Sequence, residues 1–142
     1  MKTKLSRAAF LVLLSALVFS FSASAADYIV IANKGNAVAA DKAAVAKMFT
    51  GEMKSWGDGT PVVPADLAED NPIRSSFSTE VLGKSVANMK AFWAQNVFSG
   101  KSLPPKQFAN DEDVKKFVSA TKGAIGYIKS SSLDDSIRVV IK

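Results

Sequence analysis

One arginine and two serines at the start of a predicted helix are the residues best suited to bind a ligand. Asn71-Pro72 predicts the helix start, because Asn is a favoured N-cap and Pro is favoured at the first helical position. Arg74, Ser75 and Ser76 then fall in the first turn. Backbone N–H groups at a helix start attract anions, and a guanidinium matches the oxygens of a phosphate. These three residues are therefore candidate ligands of an oxyanion.

The same residues also have a purely structural interpretation. Asn71 caps the helix in this interpretation, and Arg74 pairs on the surface with Glu69 or Asp70. An arginine in a first helical turn is common, and the two acids repel an incoming anion. The local pattern alone favours this second interpretation over a binding site.

The chain contains no histidine and no cysteine. Catalytic triads that use imidazole and the usual zinc and copper sites are thereby excluded, so we expect no enzyme, no metal and no cofactor. The acidic run Asp111-Glu112-Asp113 lacks the alternating oxygens and the glycine of a calcium loop. It is better explained as compensation of a helix dipole.

Two tryptophans are further candidates for ligand contact. Trp56 precedes Gly57-Asp58-Gly59 in a turn-rich stretch, and Trp93 follows Phe92 in a helical pattern. In both cases we favour packing against the core over contact with a sugar or a partner.

Gly126 interrupts a strand pattern and predicts a close approach of another element to the backbone.

Hydrophobic spacing predicts the elements that position these residues. Strands are predicted at Tyr28–Ala32, Pro61–Pro64, Ala124–Ile128 and Ile137–Ile141. Helices follow the caps Asp41, Asn71 and Asn110. One more helix runs from about Val86 to Gly100 with three side chains inward, namely Met89, Trp93 and Val97. The order β-α-β-α-α-α-β-β predicts an α/β fold, a largely buried sheet flanked by about four helices.

The N-terminal segment has the features of a secretory signal peptide. Three basic residues are followed by an apolar run from Ala8 to Phe21 and then by small residues up to Ala26. The run is shorter than the roughly 20 apolar residues of a spanning helix. We expect residues 1–25 to be the signal, cleaved after Ala25 or Ala26, and residues 26–142 to form one domain.

The charge of the chain argues against a nucleic-acid partner. The whole sequence has 18 basic and 13 acidic residues, a net charge of +5. Removing Lys2, Lys4 and Arg7 with the signal leaves 15 basic residues against the same 13 acids, a net charge of +2. The remaining domain of about 116 residues therefore lacks the strong positive charge of most nucleic-acid-binding domains.

An ordered set of short motifs resembles the periplasmic phosphate-binding proteins of phosphate ABC transporters. The set comprises Val45-x-x-Met-Phe-Thr-Gly51, Trp56-Gly-Asp-Gly59, Val62-Val63, Arg74, Phe77, Val81-Leu82, Phe98-Ser-Gly100 and Gly123-Ala-Ile-Gly-Tyr-Ile128. It extends from about Tyr28 to Ile128, and its order and spacing are more specific than any single piece. The chain is similar to the short, stand-alone members of this family.

The resemblance implies the type II periplasmic-binding-protein fold, in which two lobes close on phosphate. The length of this chain suffices for one lobe, the one that contributes the arginine in the family. Arg74 matches that arginine, but Ser75-Ser76-Phe77 follows it where the family has Ser-Gly-Thr. The resemblance therefore implies weak phosphate binding by the monomer, at best millimolar.

The partners and the location follow from the same resemblance. We expect a periplasmic protein that binds inorganic phosphate or a similar oxyanion, with no membrane span once the signal is removed. We expect a second copy of the chain, in a homodimer, or an envelope protein to supply the other side of the binding site. The alternative is a non-ligand-binding interaction or regulatory protein of the cell envelope that is built on the same lobe.

Overall fold

The structure, a computed structural model, describes residues 27–142. The predicted signal peptide, residues 1–25, and its cleavage site lie outside the described residues. A five-stranded mixed sheet has the order β3-β2-β4-β1-β5. Its strands are β1 (Tyr28–Asn33), β2 (Val63–Leu67), β3 (Lys106–Phe108), β4 (Ala124–Lys129) and β5 (Ile137–Ile141). Strand β2 is parallel to β3 and β4, whereas β1 is antiparallel to β4 and β5.

Four α-helices accompany the sheet: α1 (Lys42–Phe49), α2 (Pro72–Phe77), α3 (Val86–Phe98) and α4 (Asp111–Ala120). Helix α2 continues directly into a π-helical turn, Ser78–Leu82, which ends at Gly83 with φ +68°. The predicted caps are confirmed, since Asp41, Asn71 and Asn110 each accept a hydrogen bond from a backbone N–H of their helix. The predicted α/β fold with a buried, helix-flanked sheet is confirmed.

Helices cover both faces of the sheet because successive residues of a strand point to opposite faces. Tyr127 of β4 points toward α1 and α2, where its ring stacks on Phe77 at 3.9 Å and lies 5.9 Å from Phe49. Gly126, its neighbour, faces α4, and a Cβ there would lie 2.8 Å from Cγ1 of Val114. The close approach predicted at Gly126 is confirmed.

Strand β2 and strand β3 differ from the prediction. The strand predicted at Pro61–Pro64 instead begins at Val63 and extends to Leu67, pairing with β4 first and then with β3. Strand β3 was not predicted, because three exposed or half-exposed residues after two prolines carry no alternation of burial. The longer β2 matters for the site, since it carries Asp66 into the protein.

Helix α3 is also shorter and less buried than predicted. It ends at Phe98 rather than Gly100, and only Met89 and Trp93 are buried in it. Val97 is 48% exposed, so its predicted inward orientation is wrong. Each step of four residues turns a side chain about 40° further around a helix. Val97 lies two such steps after Met89, so its side chain points away from the protein.

The two tryptophans pack into the protein as predicted. Trp56 is 2% exposed, and its indole Nε1 donates a hydrogen bond of 2.9 Å to the carbonyl of Gly123. Trp93 is 7% exposed and meets the half-buried Phe92 edge to face. Neither indole is an exposed platform for a ligand.

Candidate functional site

The start of helix α2 is built as the sequence predicts. Oδ1 of Asn71 accepts a hydrogen bond of 2.9 Å from the backbone N–H of Ile73, and Pro72 occupies the first turn. The three predicted ligands behave differently from one another. Arg74 is 5% exposed, whereas Ser75 is exposed and the Ser76 hydroxyl donates to the carbonyl of Pro72. The structure therefore turns Arg74 into the protein and leaves Ser75 in contact with solvent.

Arg74 is held by the end of strand β2. Its Nη1 donates a hydrogen bond of 2.9 Å to the carbonyl of Leu67, and its Nη2 lies 3.5 Å from Oδ2 of Asp66. The surface pairing of Arg74 with Glu69 or Asp70 is thus corrected, and Glu69 pairs with Lys90 instead. The physical reason is the length of β2, which places Asp66 beneath the helix start.

Asp66 lies at the centre of a buried polar group. Its Oδ1 accepts hydrogen bonds from the hydroxyl of Tyr127 and from the backbone N–H of Leu67. Burial raises the pKa of the Asp66 carboxyl, and the Tyr127 hydrogen bond and the Arg74 charge only partly oppose this. Burial and the neighbouring carboxylate also raise the pKa of the Tyr127 hydroxyl. Arg74, Asp66 and Tyr127 form one ion-paired cluster that the sequence had not linked.

A cavity of about 150 Å³ borders this cluster. Its lining residues are Asp66, Glu69, Arg74, Lys90, Trp93, Pro104, Pro105 and Gln107. The lining contains two acids and two bases, so the cavity has no net positive charge to attract an anion. Neither Ser75 nor Ser76 lines it, which leaves Arg74 as the one predicted ligand that faces this cavity.

A wider opening of about 640 Å³ lies at the N-termini of two helices. Asn71 and Asn110, which cap α2 and α4, both line it, and each carboxamide is already used by a backbone N–H of its own helix. Three acids line the opening against a single base, as Asp27, Asp111 and Glu112 face Lys129. The sequence identified both helix starts, but their spacing along the chain carries no sign that they share one opening.

The acidic run at the start of α4 has a structural role. Oδ2 of Asp111 accepts hydrogen bonds from the backbone N–H of Lys129, at 3.1 Å, and from the Ser132 hydroxyl, at 2.7 Å. Between residues 27 and 142 no cluster of acidic side chains is arranged to hold a metal ion. In the same part of the chain, no helix has both the length and the apolar character needed to cross a membrane.

Comparison with known proteins finds solved structures with a similar fold. No protein-family model matches the chain, and no curated protein matches it either. It is similar to an ABC-type phosphate transport receptor from Vibrio cholerae, with a TM-score of 0.63 and 15% identity over 80% of this chain and 45% of that one. A phosphate ABC transporter substrate-binding protein from Clostridium perfringens, solved with bound phosphate, has a TM-score of 0.63 and 21% identity over 80% and 44%. PstS from Borrelia burgdorferi has a TM-score of 0.60 and 14% identity over 81% and 46%.

These likenesses confirm the resemblance to phosphate receptors at the level of the fold. The chain spans less than half the length of each of the three solved structures. It corresponds to a single lobe of the fold, as predicted from the resemblance and the length of the chain.

Proposed function

We propose that this protein is a periplasmic solute-binding module of the phosphate-receptor type, which binds phosphate or a similar oxyanion weakly as a single lobe. The observation that carries the proposal is the fold, shared over 80% of the chain with a receptor solved with phosphate bound. In this proposal the module serves a phosphate transporter and catalyses no reaction.

Arg74 is the principal donor in this proposal. Ser75 and Ser76, the further predicted ligands, lie outside the cavity that Arg74 lines and are secondary to it. Lys90 lines the same cavity as Arg74 and supplies a second positive charge. Asp66 and Glu69 offset these two charges, since each lies within 3.5 Å of one of them. Because these acids already neutralise the two cations, a solvated anion gains little free energy by binding there. We therefore expect a dissociation constant of about a millimolar or weaker.

Titration calorimetry with phosphate, and with sulfate as the competing oxyanion, tests the proposal. We expect weak, saturable binding heat with phosphate in the wild type. The affinity should fall several-fold in Lys90→Gln, and no binding heat should be detected in Arg74→Gln. Lys116→Gln removes an exposed lysine of α4, far from Arg74 in sequence, and serves as the matched control. Lys90 is exposed, so its variant retains the fold even where loss of Arg74 impairs it. Absence of heat at tens of millimolar phosphate would refute oxyanion binding.

The ion pair of Arg74 favours one alternative function. Because Asp66 already neutralises Arg74, the lobe can persist as an interaction or regulatory protein of the cell envelope with no small ligand. This alternative predicts a stable complex with an envelope protein that forms equally well with Arg74→Lys. The proposal of oxyanion binding predicts instead heat with phosphate that depends on Arg74, whether or not such a complex forms.

A further inference from the structure

The end of helix α3 exposes an unusual amount of apolar surface. Phe98 is 95% exposed, Leu103 is 79% exposed and Val97 is 48% exposed. We call these three residues the α3 tip. Only one other large hydrophobic residue between positions 27 and 142 is comparably exposed, namely Leu133 at 45%. Val97 and Phe98 are neighbours in the chain, and Leu103 follows five residues after Phe98. Exposed apolar residues grouped in this way are a feature of surfaces that bind a partner or a membrane.

The backbone around the α3 tip is ordered by its own hydrogen bonds. The N–H groups of Gly100 and Lys101 donate to the carbonyls of Val97 and Asn96, at 3.1 and 3.0 Å, and close the helix. Helix α3 buries only Met89 and Trp93, so most of its surface faces away from the sheet. The exposed alanines at positions 87, 91 and 94 continue the apolar surface toward the start of the helix.

The chain segment that contains α3 and the tip is rich in lysine. Residues 84–106 include four lysines and no acid, and one of the four, Lys90, pairs with Glu69 from outside the segment. Nζ of Lys84 lies 5.4 Å from the ring centre of Phe92. Phe92 in turn lines a groove of about 290 Å³ together with Lys54 and Lys101, in which Glu52 is the single acid. Lys54, Lys84 and Lys101 are all exposed. Lys101 follows Phe98 by three residues and shares the groove with Lys54, whereas Lys84 lies just before the opposite end of α3. The exposed surface of α3 therefore carries lysines at both of its ends.

We propose that the α3 tip binds the surface of a membrane that contains anionic phospholipid. Phe98 and Leu103 enter the interfacial region of the bilayer, and Lys54, Lys84 and Lys101 contact the lipid phosphates. Exposed aromatic and aliphatic side chains combined with lysines are the features by which proteins bind such surfaces without crossing them. The binding requires no oxyanion site and is independent of the function proposed above.

Charge and shape favour lipid over the other occupants of this surface. A symmetric dimer through the tip would place the lysines of one copy against those of the other, which is unfavourable. A side chain that is 95% exposed needs a matching pocket on a protein partner, whereas a fluid interface accommodates it without one. Each lysine near an anionic surface is expected to contribute about fivefold to the partition coefficient.

Vesicle flotation tests this proposal. The exported, processed protein is mixed at low salt with vesicles of phosphatidylcholine alone or of phosphatidylcholine with phosphatidylglycerol. We expect binding to the anionic vesicles that weakens with added salt. Phe98→Ser should lower the partition coefficient about tenfold, and Lys84→Gln with Lys101→Gln should lower it more than tenfold.

Two matched variants serve as controls. Leu133→Ser removes an exposed hydrophobic residue outside the tip, and Lys116→Gln removes an exposed lysine of α4. Both should bind vesicles as well as the wild type does. Because all variants have the same N-terminus, any difference in binding between them is caused by the substitution. Equal binding by Phe98→Ser and wild type, or no binding to anionic vesicles at low salt, would overturn the proposal. Capture of an acidic protein by the tip without vesicle binding would overturn it as well.

Discussion

At the scale of single residues, the distinctive feature is the cluster of Arg74, Asp66 and Tyr127. A buried ion pair contributes little compared with apolar residues of the same volume, but removal of one partner leaves the other charge uncompensated. Arg74 is 5% exposed and Asp66 8% exposed, so each depends on the other. The same arginine is the principal candidate ligand, which means that its binding role and its structural role compete.

Replacement of Arg74 by glutamine should destabilise the fold in a pH-dependent manner. At pH 7 we expect a loss of about 3–5 kcal/mol in the free energy of unfolding, because the Asp66 carboxylate stays buried without its cation. The pKa of Asp66 is already raised in the folded protein, and loss of Arg74 raises it further.

The sign of the pH dependence follows from that raised pKa. Between the unfolded-state pKa of about 3.9 and the higher folded-state pKa, the folded protein holds more protons than the unfolded chain. Stability therefore falls as the pH rises through this window, and the deficit of Arg74→Gln should shrink toward pH 3. Urea denaturation at several pH values measures this. A deficit independent of pH, or no recovery at pH 7 in Arg74→Gln with Asp66→Asn, would contradict the expectation.

At the scale of elements, contacts between helix and strand decide which side chains fit. Helix α4 lies so close to β4 that Gly126 has no room for a side chain, since a Cβ there would lie 2.8 Å from Val114 and 3.3 Å from Val118. Both valines are fully buried in the core. The glycine is thus required by the approach of α4 and not by its backbone conformation.

Gly126→Ala should accordingly cost about 1–3 kcal/mol in the free energy of unfolding, through overpacking between α4 and β4. Gly57→Ala is the matched control, because its Cβ would lie 3.4 Å from Cγ1 of Val38, an ordinary contact distance. Thermal and urea unfolding of the two variants compare them directly. A Gly126→Ala protein as stable as Gly57→Ala would show that α4 shifts freely on the sheet.

At the scale of the whole molecule, burial is uneven. Strands β1 and β4 are buried along nearly their whole length at the centre of the sheet. Helix α3 contributes two buried residues out of 13 and presents the α3 tip to the outside. Local opening requires little free energy where few apolar contacts are lost. The central strands should therefore resist local opening more strongly than helix α3 does.

Hydrogen exchange should report this difference along the chain. Backbone amides of Val86–Phe98 should exchange well before those of Tyr28–Asn33 and Ala124–Lys129, and anionic vesicles should slow exchange selectively in α3. Mass spectrometry of peptides covering the three segments measures both effects. Equal exchange rates in α3 and in the central strands would contradict the uneven stability inferred from burial.

The sequence by itself determined most of the elements and the fold class. Caps such as Asn71 and Asn110 and apolar runs such as Ala124–Ile128 depend on residues near in sequence, and both are confirmed. The glycine within the β4 pattern predicted a close approach at Gly126, which is also confirmed, although the sequence did not identify α4 as the element that makes it. The ordered motifs also predicted the phosphate-receptor fold, and the length of the chain predicted a single lobe of it; the solved structures confirm both at the level of the fold.

Only the tertiary structure decided the partner of Arg74, the shared opening of α2 and α4, and the exposure of Val97 and Phe98. Asp66 and Tyr127 are separated by 61 positions, and β2 and β4 bring them together by pairing in parallel. The exposure of Phe98 depends on whether another element covers the end of α3, which no local pattern encodes. Contacts between residues distant in sequence require the arrangement of strands, and that arrangement follows from the packing of the whole chain.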